Sequence, residues 1–133
     1  MGIYIGQSNI EDVFGIDNIA AWSNLEGGTE VNVTRVALAI SYAEGIIEDS
    51  FRGGRYQIPF SPVPIIVIDW CSKLAGVWLF LCRPLYKKDL ESSKGFVSLR
   101  ETVFDEIAMY NSGQRAFSSL KATKEDVNSP TVI

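Results

Sequence analysis

The sequence predicts an all-α protein: a small helical bundle of about three long and one or two short helices, with an extended C-terminal tail. Three observations predict it. Apolar residues recur at three- and four-residue spacing over long stretches, no segment sustains the alternation of a half-buried strand, and Gly, Pro and capping residues punctuate the stretches. The 133 residues are enough for one domain with a modest core. They divide into a helical domain over 1–117 and a polar tail over 118–133.

Ser8-Asn9-Ile10-Glu11 reads as a capping box that opens a short helix, with Ser8 accepting from the Glu11 amide and Glu11 reaching back. That helix runs through Phe14 and stops at Gly15. Asp17 offers an N-cap for a second short turn carrying Ile19, Ala20 and Trp22, and Ser23 to Thr29 reads as a loop. The first long helix runs from about Asn32 to Phe51, with Val33, Val36, Ala37, Ile40, Ala43, Ile47 and Phe51 as one apolar stripe. Asn32-Val33-Thr34 has the form of a glycosylation sequon but reads as the start of this helix. Glu44 and Glu48 sit four apart; as a catalytic carboxylate pair they lack a basic partner, so they read as acids on a solvated face.

The second long helix begins near Ser61 or Pro62 and runs to Cys82, since Pro is tolerated in a first turn and Pro84 marks a stop. Val67, Trp70, Cys71, Leu74, Val77, Trp78 and Leu81 form one face, with Ile66, Asp69, Lys73, Gly76 and Phe80 on the other side. Its apolar run from Ile65 to Leu81 is shorter than the ~20 residues that span a bilayer. Asp69 and Lys73 inside it would each cost roughly 2.5–3.5 kcal/mol at a membrane centre. It is therefore a core helix, expected to touch both its own bundle and a neighbouring subunit, with Asp69 and Lys73 as an i,i+4 pair at that contact. A third long helix fits Lys87 to Asn111, where Tyr86, Leu90, Val97, Phe104 and Ala108 keep a seven-residue rhythm flanked by Leu99, Val103 and Ile107. Gly95 marks a possible break, with Ser92 or Ser93 to cap a second piece, and Gly113 suits the residue after the helix end.

Composition narrows the function classes. A net charge of −4 with scattered Lys and Arg argues against a dedicated nucleic-acid binder. With no histidine, the usual general base near neutral pH and the commonest metal ligand are missing. Gly27-Gly28 and Gly53-Gly54 lack the spacing and lysine of a phosphate loop, no Cys or His cluster could hold zinc, and the tryptophans read as core. No enzyme activity, cofactor or metal is expected. Cys71 and Cys82, eleven positions apart in one helix, are separated by about 16 Å of axial rise and cannot pair; both read as buried thiols in a reducing compartment. No basic segment followed by an apolar core stands at the N-terminus, so no signal peptide is expected.

The segment Phe51 to Pro64 stands out as a stiffened joint: two glycines stop one helix and three prolines set the path to the next. Arg55 and Tyr56 have two readings. Tyr56 covers the end of the bundle while Arg55 pairs with an acid, or the two form a recognition pair of the kind enriched at interfaces.

The order of features resembles a known family. A Tyr4, a short capped helix ending in Phe14-Gly15, a helix with Ala39 and Ala43, then Arg55-Tyr56-Gln57-Ile58-Pro59-Phe60, a Pro-led apolar helix and Arg83-Pro84 look like the small Mu-type phage and prophage head–tail connector, or adaptor, proteins. The similarity covers about residues 3 to 112, and the Arg-Tyr-x-hydrophobic-Pro-hydrophobic joint is its most specific part. Trp70-Cys71-Ser72-Lys73 departs from the more alanine-rich, acidic pattern usual there.

The resemblance implies a structural subunit of the virion neck, assembled in the host cytoplasm into a homo-oligomeric ring, expected to be of twelve. Its partners would be the portal protein above and a downstream neck or tail protein below. DNA would pass through the ring without specific binding, and no membrane is involved. Oligomer contacts are expected from Arg52, Arg55, Tyr56 and the Asp69/Lys73 side of the second long helix, and the tail with Lys121 and Lys124 is expected to reach a portal or an adjacent subunit. Losing Arg55 and Tyr56 together should then leave a helical monomer. Two other readings stay open: a cytosolic all-α binding or regulatory module, and another tail assembly component such as a terminator.

Overall fold

The computed structural model describes residues 2–83 and 90–117. Among them the chain forms five helices and no strand: α1 (Gln7–Phe14), α2 (Ile16–Ser23), α3 (Val33–Phe51), α4 (Ile65–Leu81) and α5 (Leu90–Ser112). The all-α bundle of three long and two short helices is as expected. Pro84, Tyr86, Lys87 and the tail from Ser118, with Lys121 and Lys124, lie outside the described residues.

α4 is the axis. α1, α2, α3 and α5 all pack on it, so Val67, Trp70, Cys71, Leu74, Ala75, Gly76, Val77, Leu79 and Phe80 are buried around most of its circumference. Ile65, at its start, stays 84 % exposed. Ser72, also buried, satisfies its hydroxyl by donating to the Ile68 carbonyl at 2.7 Å. α4 starts at Ile65, not at Ser61 or Pro62. A residue before proline is pushed out of the helical region, and Val63 precedes Pro64, so no helix can begin until Pro64 has been passed.

The helix starts differ in detail from expectation. α1 begins at Gln7 after Gly6: the Gly6 amide donates to Asn9 Oδ1 at 2.8 Å, so Asn9 takes the back-reaching role given to Glu11. Glu11 instead accepts from Gln7 Nε2 at 2.8 Å. α2 is entered through Gly15, and Asp17 falls in its first turn, where a carboxylate favours the helix dipole. Asn32 does cap α3, its Oδ1 accepting from the amides of Thr34 at 3.1 Å and Arg35 at 3.2 Å.

The buried faces are rotated from the sequence reading. On α3, Val33 and Ala37 face solvent while Ala39 and Glu44 turn inward beside Val36, Ile40, Ala43, Ile47 and Phe51. α5 runs through Gly95 without a break, and the line that enters the core is Phe96, Val103, Ile107 and Tyr110. Phe104 and Ala108, assigned to the inner rhythm, are exposed. Gly113 follows α5 with a φ of 87°, as its place predicted. Cys71 is buried as expected, whereas Cys82, one residue beyond the end of α4, is exposed; both are free.

Aromatic rings close both ends of α4. Near its C-terminal end, Trp22 meets Phe14, Phe80 and Phe96 at 5.3–5.4 Å between centroids, and Phe80 stacks on Phe96 at 4.1 Å. Phe14 lies so tightly on Gly76 that any side chain there would overlap its ring. Gly76→Ala should therefore destabilise the protein by about 1–3 kcal/mol. Gly45→Ala, where a methyl meets nothing within 4 Å, should be neutral or stabilise α3 by up to about 1 kcal/mol. Urea unfolding of the two variants checks the contrast.

Candidate functional site

The joint between α3 and α4 is folded inward onto the opposite end of the bundle. Phe51, the last residue of α3, sits among Tyr56, Phe60, Trp70 and Phe117, with centroid distances of 5.3–6.1 Å. Phe117 also meets Tyr56 at 4.7 Å and Tyr110 at 4.5 Å, so the segment after α5 closes the cluster. Trp70 is fully buried, yet its indole N–H donates to Glu106 Oε1 at 2.9 Å and ties α4 to α5. Asn111 Nδ2 donates to the Ser50 carbonyl at 2.8 Å, securing the last turn of α3 against α5. Within the joint, the peptide bonds before Pro59 and Pro62 are cis.

A polar relay beneath the rings holds the joint to the N-terminus. The Phe60 amide donates to Tyr4 Oη at 3.0 Å, and Tyr4 Oη donates to Glu48 Oε2 at 2.8 Å. One turn earlier on α3, the Glu44 carboxylate accepts three backbone amides: Ile3 at 3.0 Å, Tyr4 at 2.7 Å and Ile5 at 3.0 Å. Glu44 is only 7 % exposed. A side chain at Gly2 would overlap its carboxylate, so only glycine lets the chain pass there. The two acids of α3 are thus neither a solvated face nor a reactive pair; they fasten the first residues of the chain. Sequence periodicity missed this because the partners lie about forty positions away.

The residues singled out in sequence scatter across the bundle. Tyr56 is 4 % exposed and its hydroxyl has no hydrogen-bond partner among the described residues. It covers the bundle end, the first of its two readings, and is not presented outward. Arg55 lies against Gly113, where any side chain would strike its guanidinium. Arg52 is exposed and pairs with Asp49 at 3.0 Å. Asp69 and Lys73 form the expected i,i+4 pair at 2.9 Å, about one-third exposed in the first half of α4. Such a pair contributes only tenths of a kcal/mol. Beside the joint, Pro62, Pro64, Ile65, Tyr110 and Phe117 line an apolar hollow of about 500 Å³.

The chemistry of this region is that of a fastening. Burial pushes the Tyr4 hydroxyl well above the usual phenol range; the amide of Phe60 opposes that shift and the neighbouring Glu48 adds to it. Burial, followed by the negative field of Glu44 and Glu48, raises the Cys71 thiol in the same direction, which makes it a poor nucleophile. Among the described residues no group of His, Cys, Asp and Glu is arranged to hold a metal ion. No described helix is long and apolar enough to cross a membrane.

Two outcomes follow from the relay. Glu44→Ala leaves buried amides without an acceptor and should cost at least about 2 kcal/mol, with Glu44→Gln between it and the parent, in chemical unfolding. Second, the unfolded chain releases the Cys71 proton near pH 9.0 and the Tyr4 proton near 10.0, whereas the folded chain retains both to higher pH. Their contribution is therefore complete below pH 9 and declines as pH rises, by up to about 1.4 kcal/mol per pH unit for each group. Tyr4→Phe should flatten that decline between pH 10 and 11, measured as unfolding free energy against pH.

The protein-family model described as Bacteriophage Mu, Gp36 matches residues 4–94. No curated protein and no solved structure matches the chain. The matched span begins at the tyrosine of the relay and runs through the joint and the whole of α4 into α5. The chain belongs to the Bacteriophage Mu Gp36 family.

Proposed function

We propose that the protein is a non-enzymatic head–tail connector subunit that forms a ring below the portal, extends the DNA channel and gives the tail a docking surface. The observation that carries this reading is the family match, which includes the Arg55 to Phe60 joint. Two physical features support it. A net charge of −4 suits a conduit in which DNA must slide, because tight phosphate contacts would hold it. A joint fastened by long-range hydrogen bonds and ring contacts gives each copy one fixed shape, which a closed ring of identical subunits requires. On this reading the protein resides in the neck of the virion and meets the portal and a downstream neck or tail protein. Arg52 and Arg55 remain candidates for those contacts; Tyr56 acts indirectly, by holding the joint.

Sedimentation and negative-stain microscopy of the full chain, alone and with the portal ring of the same phage, test the proposal. A ring that binds the portal is expected, and a monomer that ignores the portal would overturn the connector role in favour of a small binding module. Truncation after Phe117 retains that buried residue and should weaken portal binding. Normal portal binding by the truncated chain would make the tail a passive terminus. Arg52→Ala, at an exposed side chain, should weaken assembly at little cost to the fold. Tyr56→Ala should unfold the joint, costing about 3–5 kcal/mol, and so cannot report on contacts.

A further inference from the structure

The chain leaves the described bundle along the wall of the apolar hollow beside the joint. After α5, Gly113 turns the backbone with a φ of 87°, and the Arg115 amide donates to the Met109 carbonyl at 3.2 Å. Phe117 is then locked in place, 2 % exposed, by Tyr110 at 4.5 Å and Tyr56 at 4.7 Å between centroids. Ala116 and Phe117 line the hollow of about 500 Å³ together with Pro62, Pro64, Ile65 and Tyr110. Among the described residues its lining carries no charged side chain, so an apolar group suits it and an ion does not. Ile65 lines it too, yet is the most exposed of the large hydrophobic residues described.

The sequence supplies an occupant at short range. Phe117 is followed by Ser118, Ser119 and Leu120. Three residues span at most about 11 Å whatever course the chain takes. Leu120 therefore stays within reach of a hollow whose wall its own chain forms. The two serines have little apolar surface to offer; Leu120 is the first residue after Phe117 that can fill such a space. Lys121 comes next, and a lysine can lay its stem along apolar surface while its charge stays in water. A tether this short gives the chain's own leucine an effective concentration on the order of millimolar or above, which a second copy in dilute solution does not match.

We infer that Leu120 folds back across the hollow of its own chain and packs against Ile65 and the rings of Tyr110 and Phe117, making residues 118–120 a strap over the joint. The strap ties the region after α5 to the start of α4 and covers Ile65. Phe117 meets Phe51, the last residue of α3, at 5.9 Å between centroids, so Lys121 leaves the bundle at the end that also carries Arg52. Under the connector reading, this gives both basic contacts to one end of the subunit. The strap itself does not depend on that reading.

A double-mutant cycle on the full chain tests the strap, read by urea unfolding. Alanine suits a helix better than isoleucine, so at an uncovered position Ile65→Ala is neutral or stabilising. Beneath the strap it should instead raise the unfolding equilibrium constant several-fold, and Leu120→Ala should raise it about tenfold. Made together, the two changes should have less than the product of their separate effects, because each removes the contact of the other. Leu120→Met, which keeps the apolar volume, should stay near the parent. A neutral result for either alanine variant, or effects that simply multiply, would overturn the strap. Repeating the cycle at tenfold higher protein concentration identifies whose segment is bound. A coupling that does not change supports the contact within one chain; one that grows would put a second copy's segment in the hollow and overturn it. Failure to form a ring or bind a portal would overturn the connector reading and leave the outcome of the cycle unaffected.

Discussion

The structure depends on where one buried carboxylate sends its lone pairs. Glu44 is desolvated on α3, and it is tolerated there because three backbone amides of the N-terminal segment point at it. Hydrogen bonds to an ionised acceptor contribute about 1.5–3 kcal/mol each, more than neutral ones. With the first residues fixed, Tyr4 is placed to bridge Glu48 and the Phe60 amide, and the joint is set. Phe60 then stands where Phe51, Tyr56 and Phe117 can enclose it. The inward course of the joint thus descends from an acid near the middle of α3.

The helices were legible in sequence because their causes are local. Asn32 as a cap, the end of α3 at Phe51 before Gly53, and Gly113 beyond α5 are short-range effects that one turn of sequence reveals. What stayed hidden is long-range. Nothing near Glu44 says that it meets Ile3 to Ile5, and a four-residue spacing to Glu48 suggests a wet surface. The start of α4 is local too: proline is tolerated in a first turn, yet it pushes the residue before it out of the helical region, so Val63-Pro64 holds the helix back to Ile65. On α5, a rhythm that included Phe104 was one helical step away from the buried line through Val103 and Ile107. A helix with apolar residues on several sides does not announce which stripe its neighbours will take.

The candidate site shows the same division. The joint was visible from its glycines and prolines, and the family relationship rests on the span that contains it. Its direction was not visible, because Arg55-Tyr56 fits an outward recognition pair and an inward plug equally well in sequence. Burial of Tyr56 among Phe51, Phe60 and Phe117 decides for the plug. A motif can mark a family through its part in the fold as readily as through a partner.

That inward fixation bears on how copies could associate. Side chains sealed in the joint are already enclosed by their own chain and have little apolar area to give a neighbour. Apolar area that the described residues leave uncovered lies at Ile65, 84 % exposed directly after the joint, and at Ile16, Val33 and Leu38 elsewhere on the bundle. These are positions where the helical pattern placed apolar residues beyond what the bundle encloses. The matched span, from Tyr4 to residue 94, holds all four of these residues together with the relay that fixes the joint. Rigidity at one end of α4 and uncovered apolar area elsewhere on the bundle are therefore separate features of the same region of sequence.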